Sequence, residues 1–217
     1  MSSHIIKSTN IVSNHDKSIE KLYKKWDNNY SFLSKYIDNY FKIDCSIDQN
    51  LIESFSRDWS NLPGYADILF RPKNEKECAI ILKICNLCNI PLTVSAGKTN
   101  LTGSATPNGG AVLSTSLLTY PDIKVDIKSS EVLSPVGIPL ETLRLEILKQ
   151  TKRKLYYPVD PTSRFDAFVG GTVLCNASGF IPGEKGATRY WVREIDVLFP
   201  NGNYIKIKKG DYISLNG

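Results

Sequence analysis

Apolar residues recur at Ile19, Leu22, Tyr23 and Trp26, and again at Leu33, Tyr36, Ile37, Tyr40 and Phe41. Both sets keep the three-to-four spacing of a helix with one apolar face, and Asp27-Asn28-Asn29 interrupts the chain between them. Aromatic stripes at this spacing belong to cores more often than to interfaces, so core is the first reading and a partner surface the second. Residues 1–15 are polar, show no such pattern, and are expected to be disordered; they carry both histidines, His4 and His15. Residues 1–57 therefore read as an N-terminal extension, disordered then helical, and 58–217 as the main domain.

The pattern changes after Phe41. Asp58 to Tyr65 reads as loop, and Ile68 to Phe70 as a short strand ended by Arg71-Pro72. Asn74 and Glu77 are the N-cap and N3 residue types of a capping box, opening a helix to about Asn89. Pro91 to Val94 is the next strand. Strand, helix and strand joined by short connections make a parallel βαβ unit, and the loop that follows lies at the carboxyl end of the second strand. Further on, Ile123, Val125 and Ile127 alternate in period two, and Glu131 to Pro135 is a further short strand. Pro139 suits the first position of a helix through Leu140, Leu143, Ile147 and Leu148. Ile195, Val197 and Phe199 form a strand, Asn201-Gly202 a hairpin turn, and Ile205 and Ile207 the return strand.

Between the strand Pro91 to Val94 and a second short apolar run read as a strand, Ala111 to Leu113, lies the loop Ser95-Ala-Gly-Lys-Thr-Asn-Leu-Thr-Gly-Ser-Ala-Thr-Pro-Asn-Gly-Gly110. Gly97 and Gly103 let the backbone turn sharply and let a ligand approach its N–H groups. Thr99, Asn100 and Thr102 add side-chain donors, and consecutive donors in a turn suit an anion such as phosphate. A nucleotide P-loop is excluded despite Gly97-Lys98-Thr99: its first glycine would fall at Leu92, and Pro107, Gly109 and Gly110 preclude the following helix. Taken alone, the loop reads as a tight glycine turn without a ligand.

Residues 158–179, Pro-Val-Asp-Pro-Thr-Ser-Arg-Phe-Asp-Ala-Phe-Val-Gly-Gly-Thr-Val-Leu-Cys-Asn-Ala-Ser-Gly, change that reading. With the first loop they resemble the flavin-binding domain of the FAD-linked oxidases of the vanillyl-alcohol oxidase superfamily, in the glycolate oxidase subunit and D-lactate dehydrogenase branch. The matching pieces are Arg71-Pro72, Ala96 to Gly103, Pro135-Val136-Gly137, Tyr157 to Ser163, Gly170-Gly171-Thr172, Asn176 to Gly179 and Gly186-Ala187-Thr188-Arg189. Each is weak alone, but they stand in family order over roughly Asp58 to Gly202.

The resemblance implies an α+β chain: a PCMH-type FAD-binding domain of two α/β lobes, incomplete at its C-terminus, with the N-terminal helices added and the cap domain absent. It implies that the first loop wraps the FAD pyrophosphate and the second lies along the ribityl chain and flavin ring. The implied cofactor residues are Ala96, Gly97, Lys98, Thr99, Asn100, Leu101, Thr102, Gly103, Pro161, Ser163, Gly170, Gly171, Thr172, Asn176, Gly179 and Gly186. Two residues depart from the family pattern: Ser95 stands where arginine is frequent, and Lys98 replaces a usual glycine. Lys98 either adds charge near the phosphates or crowds the turn. The implied activity is oxidation of a small 2-hydroxy acid by hydride transfer to the flavin, with a non-catalytic flavin-binding module or subunit as the alternative. The electron acceptor is open, and a cap-bearing partner chain is one source of the substrate site.

Covalent attachment of flavin in this superfamily uses a histidine, cysteine or tyrosine, often a histidine in the first loop. Ser95-Ala96-Gly97-Lys98 offers none, so FAD is expected to be non-covalent. Cys175 is the one thiol near the second loop and is expected to pack. No catalytic residue can be named; Arg164, Arg189 and Arg193 are candidate anion contacts but read first as surface residues.

Composition narrows the class. At 217 residues with 41% hydrophobic and 23% charged residues, the chain can bury a sizeable core. The net charge of +5 comes mostly from scattered lysines, without aromatics interleaved along a basic stripe, which argues against nucleic acid as a partner. Cys45, Cys78, Cys85, Cys88 and Cys175 form no disulfide framework and, with no paired motif or nearby histidine, no metal site. Cys78, Ile81, Leu82, Cys85 and Cys88 make one helical core stripe. No run approaches the roughly 20 apolar residues of a spanning helix, and the expected location is cytoplasmic, or at most peripheral to a membrane.

Overall fold

The computed structural model describes residues 7–181 and 183–212. The chain runs β1 (Thr9–Asn10), α1 (Asp16–Tyr23), α2 (Tyr30–Phe41), β2 (Cys45–Ser46), α3 (Gln49–Glu53), β3 (Ile68–Phe70), α4 (Glu75–Leu87), β4 (Leu92–Ser95) and β5 (Ala111–Ser114). It continues with β6 (Lys124–Asp126), β7 (Glu131–Leu133), α5 (Leu140–Gln150), α6 (Val169–Leu174), α7 (Thr188–Trp191), β8 (Glu194–Leu198) and β9 (Asn203–Lys208).

The first sheet has the order β2-β3-β5-β4. Its strands β3, β5 and β4 are parallel, with Leu69 opposite Val112 and Thr93 opposite Val112 from the other side. The strands β3 and β4 of the βαβ unit are thus not neighbours. The stretch β5, which follows the first glycine loop, inserts between them. All residues of β3 and β5 are buried, as expected for strands covered on both faces.

Helix α4 starts where its cap residues require. Asn74 Oδ1 accepts from Glu77 N at 3.0 Å, and the Glu77 carboxylate accepts from Asn74 Nδ2 and, at 2.8 Å, from Lys73 N. Its apolar face carries Cys78, Ile81 and Cys85 into a core shared with Ile68, Phe70 and Leu113 of the sheet and with Ile19, Leu22, Leu33 and Ile37 of α1 and α2. Polar contacts reinforce this packing. Lys83 Nζ pairs with Asp16 at 2.6 Å, Trp26 Nε1 donates to Cys88 O at 3.2 Å, and Tyr36 Oη donates to Ser18 O at 2.9 Å.

A second core, Ile138, Leu140, Leu143, Ile147 and Val169, joins α5 and α6 to the β6–β7 hairpin. The third sheet has the order β1-β9-β8, all antiparallel. Its β8–β9 connection is wider than the sequence suggests: Phe199 leaves the strand, and Phe199 N donates to Asn203 O at 2.8 Å.

The expected disorder of residues 1–15 is corrected for those described. Thr9 and Asn10 pair with Tyr204 and Asn203, and Val12 is fully buried. His15 sets its ring edge against Phe41, with centroids 5.6 Å apart. A two-residue edge strand with both side chains exposed leaves no periodic trace in sequence. Residues 1–6, including His4, lie outside the described residues. The elements β2, of two residues, and α3, of five, are likewise too short to leave a periodic trace.

Candidate functional site

Strand β4 ends at Ser95, at the carboxyl end of the parallel strands, and the chain loops from Ala96 to Gly110 before entering β5. Among the described residues, the consecutive backbone N–H groups from Ala96 to Leu101 find no acceptor in the protein. A row of free amides in a turn is a concavity for an anion. At its root, Ser95 Oγ is fully buried without a partner among the described residues.

The second segment closes against this loop. A Cβ built on Gly97 would lie 1.8 Å from Asp166 O, so the two backbones touch and only glycine fits there. Gly171 faces Ala96, where its Cβ would make an ordinary 3.4 Å contact. Other glycines are demanded by the protein itself. A Cβ on Gly170 would meet Val136, one on Gly179 would come 2.2 Å from Asp160 O, and one on Gly186 1.8 Å from Ile181 O. Gly171 alone of these has room on its side-chain face, and it lies in the first turn of α6 with Gly170.

An ion-pair network anchors the second segment to α5. Arg164 pairs with Glu141 at 3.0 Å and with Asp160 at 3.1 Å, while Arg144 bridges the same two acids at 2.9 and 3.1 Å. The four side chains are partly buried, so they hold position better than solvated pairs. The guanidinium of Arg164 also sits 4.8 Å over the Phe165 ring, and this side chain is therefore committed to shaping the loop.

Several expected donors are occupied internally. Asn100 Oδ1 accepts from Thr102 N at 2.6 Å and from Thr102 Oγ1 at 2.9 Å, and Asn100 Nδ2 donates to Ser104 Oγ. Thr172 Oγ1 is buried and donates to Val169 O at 2.8 Å. Asn176 Oδ1 accepts from Arg189 N at 3.0 Å. Lys98 adopts φ +57°, the left-handed region that favours glycine, which explains the glycine common at this place in the resembled family. Its ammonium donates to Ser54 O and lies 4.9 Å over Phe55. Of the side chains from Thr99 to Thr102, the Thr99 hydroxyl has no partner among the described residues.

Sequence reading missed the acids that shape the first loop. Asp67 Oδ2 accepts from Gly110 N at 2.8 Å, and Asp58 Oδ2 from Ala105 N at 3.2 Å. The Asp58-Trp59-Ser60 spacing of an Asx turn was the available signal.

The sequence pattern of the FAD binding domain matches residues 66–208, which contain both loops. The chain belongs to this family. The chain is 32% identical over 163 residues to a D-lactate dehydrogenase of Anaerostipes hadrus, covering 74% of this chain and 34% of that protein. It is 28% identical over 159 residues to a D-2-hydroxyglutarate dehydrogenase of Xanthomonas citri pv. viticola, covering 72% and 33%. A glycolate oxidase subunit of Bacillus subtilis is 26% identical over 141 residues, covering 64% and 29%. The chain thus spans about a third of the length of these curated relatives. Among solved structures, alkyldihydroxyacetonephosphate synthase superposes with a TM-score of 0.73 at 16% identity, covering 99% of this chain and 40% of that one. The 6-hydroxy-D-nicotine oxidase of Arthrobacter nicotinovorans gives 0.64 at 18% identity, covering 78% and 36%. The chain therefore has the PCMH-type FAD-binding fold.

The donor set fits FAD. The free amides suit a diphosphate, and the open face of Gly171 beside Ala96 admits a flat ring or chain against backbone. Cys175 is exposed at the end of α6, which corrects the expected packing role. Cys78, Cys85 and Cys88 are buried, and burial pushes their thiols up to about 12, 12 and 11. At pH 8 a disulfide reagent should therefore titrate Cys175 rapidly and these three only after denaturation, because the thiolate is the reacting form. Rapid native-state reaction of Cys85, located by peptide mapping, would contradict the core assignment.

Proposed function

We propose that this chain is the FAD-holding part of a flavin-dependent oxidoreductase that oxidises a small 2-hydroxy acid, with the cofactor bound non-covalently. The observation that carries the reading is the meeting of the two loops, Gly97 against Asp166 and Gly171 against Ala96, beside a row of unpartnered amides. In this reading Ala96, Gly97, Lys98, Thr99, Asn100, Leu101, Thr102 and Gly103 hold the diphosphate, mainly through backbone. Pro161, Ser163, Gly170, Gly171, Thr172, Asn176, Gly179 and Gly186 form the surface for the rest of the molecule. Asn100 and Thr102 act by fixing the loop, since their side chains bond each other. Bound flavin supplies the two-electron acceptor for hydride from the carbon that bears the hydroxyl.

The 2-hydroxy-acid assignment is supported by the names of the curated relatives, a D-lactate dehydrogenase and a D-2-hydroxyglutarate dehydrogenase among them. Oxidation also needs a base for the hydroxyl proton and a cation for the carboxylate. His15 lies against Phe41 and Arg164 is paired with acids, so neither is assigned to the chemistry. Turnover in this reading requires groups outside the described residues, supplied by a partner chain or by another part of the same protein. The five unpaired cysteines support a reducing, cytoplasmic setting. No helix among the described residues is long and apolar enough to cross a membrane.

The test loads the 217-residue chain with FAD, removes excess, and precipitates it with acid. Flavin should pass wholly into the supernatant, and the loaded chain should not reduce a dye with lactate, glycolate or 2-hydroxyglutarate. Flavin fluorescence in the washed pellet would refute non-covalent binding and direct attention to exposed Cys175. Substrate-dependent dye reduction would refute the need for outside groups.

A further inference from the structure

The first loop is held from behind by a segment that precedes the matched family region. Asp58 is only 5% exposed, yet it is a carboxylate with no ion-pair partner among the described residues. Its charge is met by donors alone. Oδ1 accepts from Ser60 N at 2.9 Å and from Ser60 Oγ, and Oδ2 accepts from Ala105 N at 3.2 Å. Next to it, Trp59 N donates to Lys98 O at 3.0 Å. Leu62 backs Gly103, where an added Cβ would come 2.6 Å from its Cδ1. The loop is thus fastened near its start at Lys98 and near its end at Gly103 and Ala105, and the amides of Thr99, Asn100 and Leu101 lie free between these points.

Burying a carboxylate without a cation is a costly way to shape a turn, since burial favours the neutral acid. Burial does push the Asp58 carboxyl up, but the bonds from Ser60 and Ala105 outweigh it and keep the group below the ordinary carboxylate range. At neutral pH the acceptor is therefore charged, and charged acceptors bind amides more strongly than neutral ones. We propose that Asp58 is a positioning residue which, with Trp59 and Ser60, forms a clasp fixing the first loop in the shape that grips the diphosphate. This inference rests on the FAD reading and adds that a segment outside residues 66–208 sets cofactor affinity.

The experiment compares the full chain with Asp58→Asn, Asp58→Glu and Ser60→Ala. FAD and ADP affinities are measured by titration in the cold, with circular dichroism as the check that each variant is folded. ADP probes the diphosphate loop without the flavin. Asp58→Asn should weaken FAD and ADP alike by about tenfold or more, because a neutral amide replaces the charged acceptor and the charge-assisted bonds that hold the loop are lost. Asp58→Glu should recover part of the loss, and Ser60→Ala should lose about threefold through one missing bond. Folded variants with unchanged ADP affinity would reduce Asp58 to a folding residue and overturn the clasp. If Asp58→Asn does not fold, Ser60→Ala decides by the same measurement. A wild-type chain that binds neither ligand overturns the FAD reading and the clasp together, whereas wild-type binding with equally tight variants overturns the clasp alone.

Discussion

Gly97→Ala should destabilise the chain by about 3 kcal/mol or more, whereas Gly171→Val should leave it folded and abolish FAD binding. The two glycines look alike in sequence but meet different neighbours. A methyl at position 97 would fall 1.8 Å from Asp166 O, and two backbone segments must separate to admit it. A Cβ at position 171 makes only a 3.4 Å contact with Ala96, so the fold tolerates it. The branched methyls of valine would then occupy the face assigned to the cofactor. Urea unfolding gives the first result and flavin titration the second. Normal FAD affinity in a folded Gly171→Val chain would show that the second loop has been misplaced.

FAD should raise the melting temperature strongly, and FMN much less. A ligand that binds only the folded state stabilises it by about 2.7 kcal/mol at a hundredfold excess over its dissociation constant. For a chain of this size that is a shift of roughly 5–11 °C. FMN lacks the diphosphate and the adenosine, so it leaves the free amides from Ala96 to Leu101 without most of their ligand. Equal shifts with both flavins at equal concentration would sink the diphosphate assignment.

Much of this fold is legible in the chain. The start of α4 follows from Asn74 and Glu77, whose side chains bond each other and the helix start, and β3 falls on the apolar run Ile68 to Phe70. The helical pattern at Ile19 and Leu22 likewise returns as buried core. Periodicity has no means to show pairing between distant short strands, so it misses β1 on β9 and β5 between β3 and β4. Family order places the two loops, but residue type alone does not tell which groups are free. Asn100, Thr102 and Thr172 have the chemistry of donors for a ligand, and their hydroxyl or amide groups serve the loop and helix instead. Lys98 has a charge suited to the phosphates, and its ammonium is engaged by Ser54 and Phe55. Such choices depend on neighbours remote in sequence. Asp58 and Ala105, separated by a strand, a helix and another strand, are the clearest instance.

The central claim is that this chain alone holds FAD in the cradle between its two glycine loops. The most direct measurement incubates the purified 217-residue chain with FAD, passes it through gel filtration, and records the visible spectrum of the protein peak. A flavin band at about one FAD per chain, lost in Gly171→Val, is the predicted result. A colourless protein peak from folded wild-type chain, at a loading concentration where free FAD is in large excess, would contradict the claim.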